Sequence, residues 1–262
     1  MNMYPITSPA NGKIKLLRSL SNKKTLLENS LFVIEGANIL KDAPEGFIEE
    51  VFVRESDIGK YAALCERLTD RAYSVADEAF DRVSNTVTSA GIIATARIPE
   101  PRPVTGRLVA VLDGISDPGN LGTIIRTGTA MGIYDYISIG SAFAYAPKVV
   151  RATMGGVYYA NVVDFSYAGA RDFLNKEGYT VAALDMGGKN IHDYVPAAGR
   201  LALVIGSEAH GVSEEMRSLA SVTLAIPMRG GHIESLNAAV SASIAFSVLT
   251  EKLNQSDNLF RR

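Results

Sequence analysis

The sequence predicts an α/β protein whose C-terminal part carries a largely parallel sheet, preceded by a smaller α/β domain. After residue 106, six short apolar runs follow one another, and continuous apolar runs are typical of strands buried on both faces. These runs are RLVAVLDGI, YDYISIGS, YANVVDF, TVAALDM, RLALVIGSE and SVTLAIPM. Helical stretches separate them: YAGARDFLNKEGY stops at Gly178, and SEEMRSLA starts at a capping Ser213. The segment from Ser235 to about Leu253 has the length and period of a last helix.

A proline-rich segment divides the chain. IPEPRPVTGR carries three alternating prolines and is predicted to be an interdomain linker. The expected boundaries are a domain at 1–98, the linker at 99–107 and a domain at 108–262. In the first domain, LFVIEG, EEVFVRE, AYSVA and GIIATARI are predicted strands, and KYAALCERLTD is a predicted helix.

Composition limits the class of protein. The chain has 262 residues, of which 47% are apolar, which suffices for one large or two ordinary buried cores. No apolar stretch reaches the roughly 20 residues of a membrane helix, and the N-terminus lacks the apolar block of a signal peptide. We therefore expect a soluble, cytoplasmic protein. The single cysteine, Cys65, excludes an intrachain disulfide, and with three widely spaced histidines we predict no metal.

Charge is balanced overall but not locally. A net charge of −2 argues against a general polyanion binder. One stretch before Glu28 is nevertheless purely basic: Lys13, Lys15, Arg18, Lys23 and Lys24. These side chains either follow a nucleic-acid backbone or form the solvated face of a helix, whose apolar side would be Ile14, Leu17 and Leu20.

The first of three glycine-bearing turns is Asp117-Pro118-Gly119-Asn120. Proline and glycine favour the turn, and Asn120 is predicted to cap the following helix. Capping leaves Arg126 unexplained, because an arginine beside two isoleucines needs an anion or open solvent. The spacing matches neither a dinucleotide-binding fingerprint nor a P-loop.

Two further turns follow the last predicted strands. Gly206 and Gly211 flank a short polar segment that contains Glu208, and Gly230–Gly231 precedes the last helix. Ligands of open parallel sheets bind outside the carboxyl ends of the strands, where all three turns are expected. The sequence therefore predicts a binding pocket at that edge.

At these turns the sequence resembles the SpoU (TrmH-type) family of RNA ribose 2′-O-methyltransferases, within the SPOUT class. Its three motifs are DPGNLGTIIRTGTAMG, VIGSEAHGVS and IPMRGGHIESLNAAVSASI, and the likeness runs from about Leu108 to the end. FVIEGANIL and TSAGIIATARIP resemble, more loosely, the ribosomal-protein-like substrate-binding domain of longer members. Two departures are Thr153, where serine is commoner, and a third motif lengthened by Gly231 and His232.

The resemblance implies a deep trefoil knot, S-adenosylmethionine as cofactor, RNA as substrate and a homodimer. It assigns catalysis to Asn120, Arg126, Glu208, Ser235 and Asn237. It assigns the cofactor to Gly206, Ser207, Ile226, Met228, Ser235 and Leu236. Beside such a domain, the basic stretch becomes a set of RNA contacts, to which Arg151 is added. The last helix, with Ala239, Ala242, Ile244, Ala245 and Val248, packs either against a partner or in its own core.

Large-subunit (23S) ribosomal RNA is the expected target, with transfer RNA as the alternative. Two other classes stay open: an RNA-binding or ribosome-assembly protein without activity, and a nicotinamide or nucleotide enzyme, disfavoured by the missing fingerprints. For Arg126 we favour electrostatic stabilisation over a role as general base, because a guanidinium pKa lies above about 12. Glu208 is expected to position Arg126 or to cap a helix. The three histidines are unassigned, although His210 lies nearest the motifs.

Overall fold

The computed structural model describes residues 3–84, 90–197, 199–230 and 234–260. The chain forms two compact units, one made of Met1–Glu100 with Phe143–Tyr158, the other of Pro101–Ala142 with Tyr159–Arg262. In the described part of the chain, no helix combines the length and the hydropathy that a membrane span requires.

The first unit contains a five-stranded mixed sheet in the order β1-β4-β3-β5-β2. Its strands are β1 (Tyr4–Ile6), β2 (Leu31–Glu35), β3 (Ile48–Arg54), β4 (Ala72–Val75) and β5 (Ile92–Arg97). Its helices are α1 (Gly12–Ser19), α2 (Lys23–Asn29), α3 (Ala37–Leu40), α4 (Ile58–Leu68) and α5 (Asp77–Phe80). The four predicted strands and the predicted helix α4 are confirmed. Strand β1 was not predicted, because three residues are too few to show a period.

The second unit contains a six-stranded sheet in which every strand pair is parallel, in the order β11-β9-β10-β6-β7-β8. The strands are β6 (Leu108–Asp113), β7 (Asp135–Ile139), β8 (Asn161–Asp164), β9 (Tyr179–Asn190), β10 (Arg200–Gly206) and β11 (Val222–Ala225). The helices are α6 (Pro118–Ala130), α8 (Tyr167–Lys176), α9 (Glu214–Leu219) and α10 (Ala238–Phe260). The predicted parallel sheet is confirmed, and Ser213 caps α9 as expected.

The segment Phe143–Tyr158, which follows β7 in the sequence, belongs to the first unit. It contains helix α7 (Pro147–Thr153). Tyr145 packs on Phe32 with ring centroids 5.1 Å apart, and the Tyr158 hydroxyl donates to the Ile39 carbonyl at 3.0 Å. The sequence analysis assigned this segment to the second domain. The structure differs because the aromatic side chains of Phe143–Tyr158 contact buried residues of β2 and of the segment that follows β2.

The second half of the predicted linker is anchored to the second unit, although most of its residues are exposed. The backbone N–H groups of Thr105 and Gly106 both donate to Asp135 Oδ2, at 2.9 and 2.7 Å, and Val104 is buried in the core of the second unit. Alternating prolines favoured an extended spacer, but these anchors make residues 102–107 part of the second unit.

The last helix begins later than predicted and mostly packs within its own chain. It starts at Ala238 because Asn237 caps it, rather than at Ser235. Ala239, Ala242 and Ala245 are fully buried, so these three belong to the core. Ile244 and Val248 are only partly buried.

Candidate functional site

A cavity of about 350 Å³ opens beside the carboxyl end of β10 and the middle of β9, where the pairing of β9 with β10 ends, and residues following β11 complete its wall. Its lining is Leu184, Asp185, Met186, Ile205, Gly206, Ser207, Glu208, His210, Gly211, Ile226, Met228, Ser235, Leu236, Ala238 and Ser241. All six residues that the resemblance assigned to the cofactor belong to this wall. Residues far apart in sequence thus meet at one edge of the sheet, as expected for ligand sites of parallel sheets.

The wall around Gly206 is formed by closely apposed backbones. The Ser207 N–H donates to the Gly211 carbonyl at 3.0 Å, and the Gly211 N–H donates back to Ser207 at 2.9 Å. A Cβ atom at Gly206 would overlap the carbonyl carbon of Gly211 and the nitrogen of Val212. Only glycine fits at position 206, because the obstructing atoms are backbone and cannot rotate away.

Three predicted residues from three different motifs form one hydrogen-bonded chain. The Asn120 side chain donates to Glu208 Oε1, and its own Oδ1 accepts from Asn237 Nδ2 at 2.9 Å. The Asn237 oxygen accepts from the backbone N–H groups of Ala239 and Val240, at 2.9 and 3.2 Å. The chain therefore connects the loop after β10 to the starts of α6 and α10.

The prediction that Asn120 caps α6 is wrong. The cap is Asp117, whose side chain accepts from the Asn120 N–H at 2.8 Å. Aspartate competes successfully here because proline at the next position presets the first helical turn. The Asn120 side chain is thereby free to bind Glu208 and Asn237.

Arg126 is exposed and is absent from the cavity wall. Six residues along an α-helix correspond to about 1.7 turns, so Arg126 and Asn120 lie on different faces of α6. No described residue accepts a hydrogen bond from, or pairs with, its guanidinium. Within a single chain Arg126 thus does not line the cavity, whereas Ser235 does, and the catalytic role of Arg126 stays a prediction.

An ion pair at the cavity was missed by the sequence analysis. Asp185, which lines the wall, binds Arg217 of α9 at 2.8 Å and accepts from the Gly187 N–H at 3.2 Å. Burial opposes ionisation of Asp185, but the hydrogen bonds from Gly187 and Arg217 outweigh it and hold the pKa below 3.8. Asp185 is therefore an anion at neutral pH. The sequence signal, a lone aspartate at the end of a predicted strand, was too common to select it.

The histidines contribute little to the site. His210 lines the cavity and is exposed, while His192 is exposed in a short 3-10 turn. His232 and Gly231 lie outside the described residues. Among the described residues, no group of three or more histidine, cysteine, aspartate or glutamate side chains could hold a metal ion.

The predicted RNA contacts divide into cations without a close carboxylate and cations that bind one closely. Ile14, Leu17 and Leu20 are buried, and Lys15, Arg18, Lys23 and Lys24 are exposed around helices α1 and α2. Lys24 makes only a long 3.8 Å pair with Glu28. Lys13 differs, because it bonds Glu50 at 2.5 Å and lies 4.7 Å from the Tyr73 ring centroid.

Burial lowers the pKa of Lys13, but hydrogen bonds with Glu50 and Tyr73 more than compensate and raise it above 10.5. Arg151 is also engaged: it binds Glu35, whose side chain is 6% exposed, at 3.2 Å within the first unit. Lys13 and Arg151 thus each hold a carboxylate closely, which sets them apart from the basic residues on the open face.

The fold and the site define an α/β protein that holds a small ligand at the carboxyl edge of a parallel sheet, beside a polar cluster drawn from three motifs. The chain belongs to the SpoU rRNA methylase family, whose model matches residues 107–247. The MRM3-like substrate binding domain matches residues 11–94. The resemblance inferred from the motifs is thereby confirmed.

Relatives and solved structures agree with this membership. The chain is 31% identical over 251 residues to the 23S rRNA (guanosine(2553)-2′-O)-methyltransferase RlmP of Bacillus subtilis, covering 92% of this chain and 97% of the relative. It is 29% identical over 222 residues to the 23S rRNA (guanosine-2′-O-)-methyltransferase RlmB of Bordetella pertussis, covering 78% and 89%. An AdoMet-bound rRNA methyltransferase from Sinorhizobium meliloti superposes with a TM-score of 0.81 at 25% identity, covering 96% and 98%.

Proposed function

We propose that this protein is an S-adenosylmethionine-dependent RNA methyltransferase that modifies a ribose 2′-hydroxyl of large-subunit ribosomal RNA. The observation that carries the proposal is the hydrogen-bonded chain Glu208–Asn120–Asn237 beside the cavity. A nicotinamide enzyme or a purely architectural turn needs no such convergence. The names of the relatives RlmP and RlmB support the choice of 23S ribosomal RNA.

The residues present fit the proposed cofactor. The cavity volume lies within the range of about 300 to 1,000 Å³ typical of small-molecule sites. Gly206 lets the backbone of Gly211 approach closely and form the wall, and Asp185 places a carboxylate, paired with Arg217, on the same wall. S-adenosylmethionine supplies an electrophilic methyl group on a positively charged sulfur. Gly206, Ser207, Ile226, Met228, Ser235 and Leu236 would hold it.

The chain's own residues then position the ribose. A guanidinium such as Arg126 donates several hydrogen bonds in a fixed plane, which suits the phosphate of the target nucleotide and a developing negative charge on its 2′-oxygen. Its high pKa makes Arg126 a poor base. Glu208 and Asn120 are positioning residues, because they fix the loop after β10 against the first turn of α6.

A homodimer would supply the missing guanidinium, since Arg126 of a second copy could enter the cavity that its own chain's Arg126 does not reach. The partly exposed residues Val240, Ile244 and Val248 recur every four positions on α10 and form an apolar stripe suited to such contact. The proposal includes the trefoil knot implied by the family, which the close backbone approach at Gly206 would accommodate. It also includes a cytoplasmic location.

The first unit would hold the RNA through Lys15, Arg18, Lys23 and Lys24, because these cations are exposed on neighbouring helices. The domain division, with an RNA-binding unit before a catalytic one, belongs to the same proposal. Transfer RNA is the second candidate substrate, since a neighbour of 28% identity and TM-score 0.50 is named for 2′-OH methylation of C/U34 on tRNA.

The test is methyl transfer from labelled S-adenosylmethionine to ribosomal RNA from cells lacking the gene, followed by mapping of 2′-O-methyl positions. One new 2′-O-methyl nucleotide in 23S RNA is expected. Modification of transfer RNA alone would reassign the substrate. Calorimetry that detects no S-adenosylmethionine binding to the folded protein would overturn the activity itself.

A further inference from the structure

A second cavity, of about 600 Å³, lies at the amino ends of β6 and β7. Because all strands of this sheet are parallel, this is the edge opposite the carboxyl ends that carry the cofactor cavity. Its walls are the segment 102–108, which precedes β6 and enters it, the turn 131–135 and one side of α10 around Thr250 and Leu253. None of the three family motifs explains it.

The wall of the second cavity is preformed. Asp135, the first residue of β7, accepts from the Thr105 and Gly106 N–H groups through one carboxylate oxygen and from Asn161 Nδ2 through the other, at 2.8 Å. Both oxygens are therefore engaged inside the protein. The cavity needs no rearrangement before a ligand enters.

Two arginines line this cavity. Arg107 donates to the carbonyls of Gly199 and Leu253, at 3.3 and 3.0 Å, and the second arginine is Arg102. Its backbone N–H and carbonyl are both bound by the Asn161 side chain, at 2.9 and 3.0 Å, and one guanidinium nitrogen donates to the Tyr159 carbonyl at 3.0 Å. Within the described residues, no carboxylate pairs with this guanidinium. A fixed arginine with unused donors and no counter-charge is a binding group for an anion such as phosphate.

Two apolar side chains and one hydroxyl complete the wall. Tyr134 is 49% exposed and Met131 is 38% exposed, and both line the cavity. Thr250 Oγ1 is buried and has no hydrogen-bond partner among the described residues. Tyr134 and Arg102 line the same cavity, and proteins bind nucleotides without reading their sequence by combining aromatic side chains with cations.

We propose that this cavity binds one nucleoside phosphate unit, with the base stacked on Tyr134 and the phosphate on Arg102. The inference rests on the proposed function in one respect: because the protein is proposed to modify RNA, RNA is the natural source of the nucleoside phosphate. It adds a contact for RNA on the second unit, at the sheet edge opposite the cofactor. A free nucleotide offers the same chemistry, and the experiment separates the two sources.

The chain contains no tryptophan, so Tyr134→Trp introduces a single tryptophan, which can be excited selectively, on the cavity wall. The probes are adenosine 5′-monophosphate and a short single-stranded oligoribonucleotide. Saturable quenching is expected, because a stacked base quenches indole emission. The matched control is Val195→Trp, at a residue that is 79% exposed and outside both cavities. Quenching by the monophosphate supports a free-nucleotide site, and quenching by the oligoribonucleotide alone supports an RNA contact.

A second substitution tests the anion contact. Arg102→Met in the Tyr134→Trp background removes the charge but keeps the main-chain bonds to Asn161, so the fold is expected to persist. Affinity for the probe should fall about tenfold or more, as expected when a charge-assisted hydrogen bond is removed. Unchanged affinity would overturn the role of Arg102. Absence of quenching, or equal quenching in the Val195→Trp control, would overturn the site.

Calorimetry with S-adenosylmethionine on the same variants keeps the two proposals separate. If the cofactor binds and the tryptophan at position 134 reports no nucleotide, only the second cavity is refuted. If the parent protein binds no cofactor, the proposed function fails, whatever the fluorescence shows.

Discussion

The amide of Asn237 donates to the Asn120 side-chain oxygen at 2.9 Å, although 117 residues separate the two in sequence. Because Asn120 also donates to Glu208, the two asparagines connect the starts of two helices to the loop that walls the cavity. An asparagine side chain serves in the middle because it carries a donor and an acceptor at once. Catalytic geometry should therefore depend on the amide at position 120.

Asn120→Ala is expected to lower kcat by roughly ten- to a hundredfold, the loss of about 1.4 to 3 kcal/mol from two hydrogen bonds to polar or charged groups. Asn120→Asp should be worse at neutral pH, since a second carboxylate would then face Glu208. Steady-state methyl transfer measures both variants. Thr123→Ala, at an exposed position of the same helix, is the control. An aspartate variant as active as the parent would contradict this account.

Gly206→Ala should destabilise the second unit by about 3 kcal/mol or more, because the added methyl group meets backbone atoms of Gly211 and Val212. Gly230→Ala is the matched control, since a Cβ there has no neighbour within 4 Å. Urea unfolding followed by circular dichroism compares the two. Equal stability of both variants would mean that the approach at Gly206 is looser than described.

Arg126→Ala and Ser235→Ala are each expected to lose most activity while still binding each other as subunits. If the guanidinium acts across a dimer interface, a mixed dimer carries one site with both side chains intact. Co-expression of the two differently tagged variants, followed by tandem purification, should therefore restore activity that neither variant has alone. Inactive mixed dimers would indicate that Arg126 serves its own chain or none.

Lys15→Ala, Arg18→Ala and Lys24→Ala, combined, should weaken RNA binding and flatten its salt dependence. For each phosphate that the variant no longer neutralises, the slope of log K against log salt should fall by about 0.7 to 0.9. Fluorescence anisotropy at several salt concentrations measures that slope. Arg151→Gln is the comparison, because Arg151 is bound to Glu35, and the slope should not change when its charge is removed. An unchanged slope in the triple variant would place the RNA elsewhere.

Cys65 is expected to resist alkylation at pH 8 in the folded protein. Burial first, and the nearby Glu66 second, raise the pKa of its thiol from 9.0 to about 11. The native state thus retains a proton that the unfolded chain releases, so this contribution to stability is complete below pH 9 and is lost as pH rises towards 11. Mass spectrometry after iodoacetamide treatment checks the reactivity, with urea-unfolded protein as the positive control. Rapid native labelling would disprove the burial.

The sheet of the second unit could be predicted because buried parallel strands appear as continuous apolar runs, and all six runs became strands. The position of the cavity could also be predicted, because the turns that follow parallel strands lie together at the carboxyl edge of the sheet. The cap of α6 could not be assigned, since aspartate and asparagine are equally good caps and both stood in the turn.

The ion-pair partners of charged side chains could not be predicted from the sequence. The pairing of Arg151 with Glu35 joins residues 116 positions apart, and that of Asp185 with Arg217 joins the middle of β9 to helix α9. Helical geometry alone indicates that Asn120 and Arg126 lie on different faces of α6, because six residues are about 1.7 turns.

Helix α7 and its aromatic neighbours leave the parallel sheet after β7, join the first unit, and return to begin β8. Removing the first hundred residues at the proline-rich junction would consequently take away the groups that cover Tyr145 and Tyr158. These aromatic side chains would then be exposed to solvent. A minimal catalytic fragment would therefore need a short hydrophilic linker in place of Phe143–Tyr158. The solubility of the fragment would show whether this replacement is tolerated.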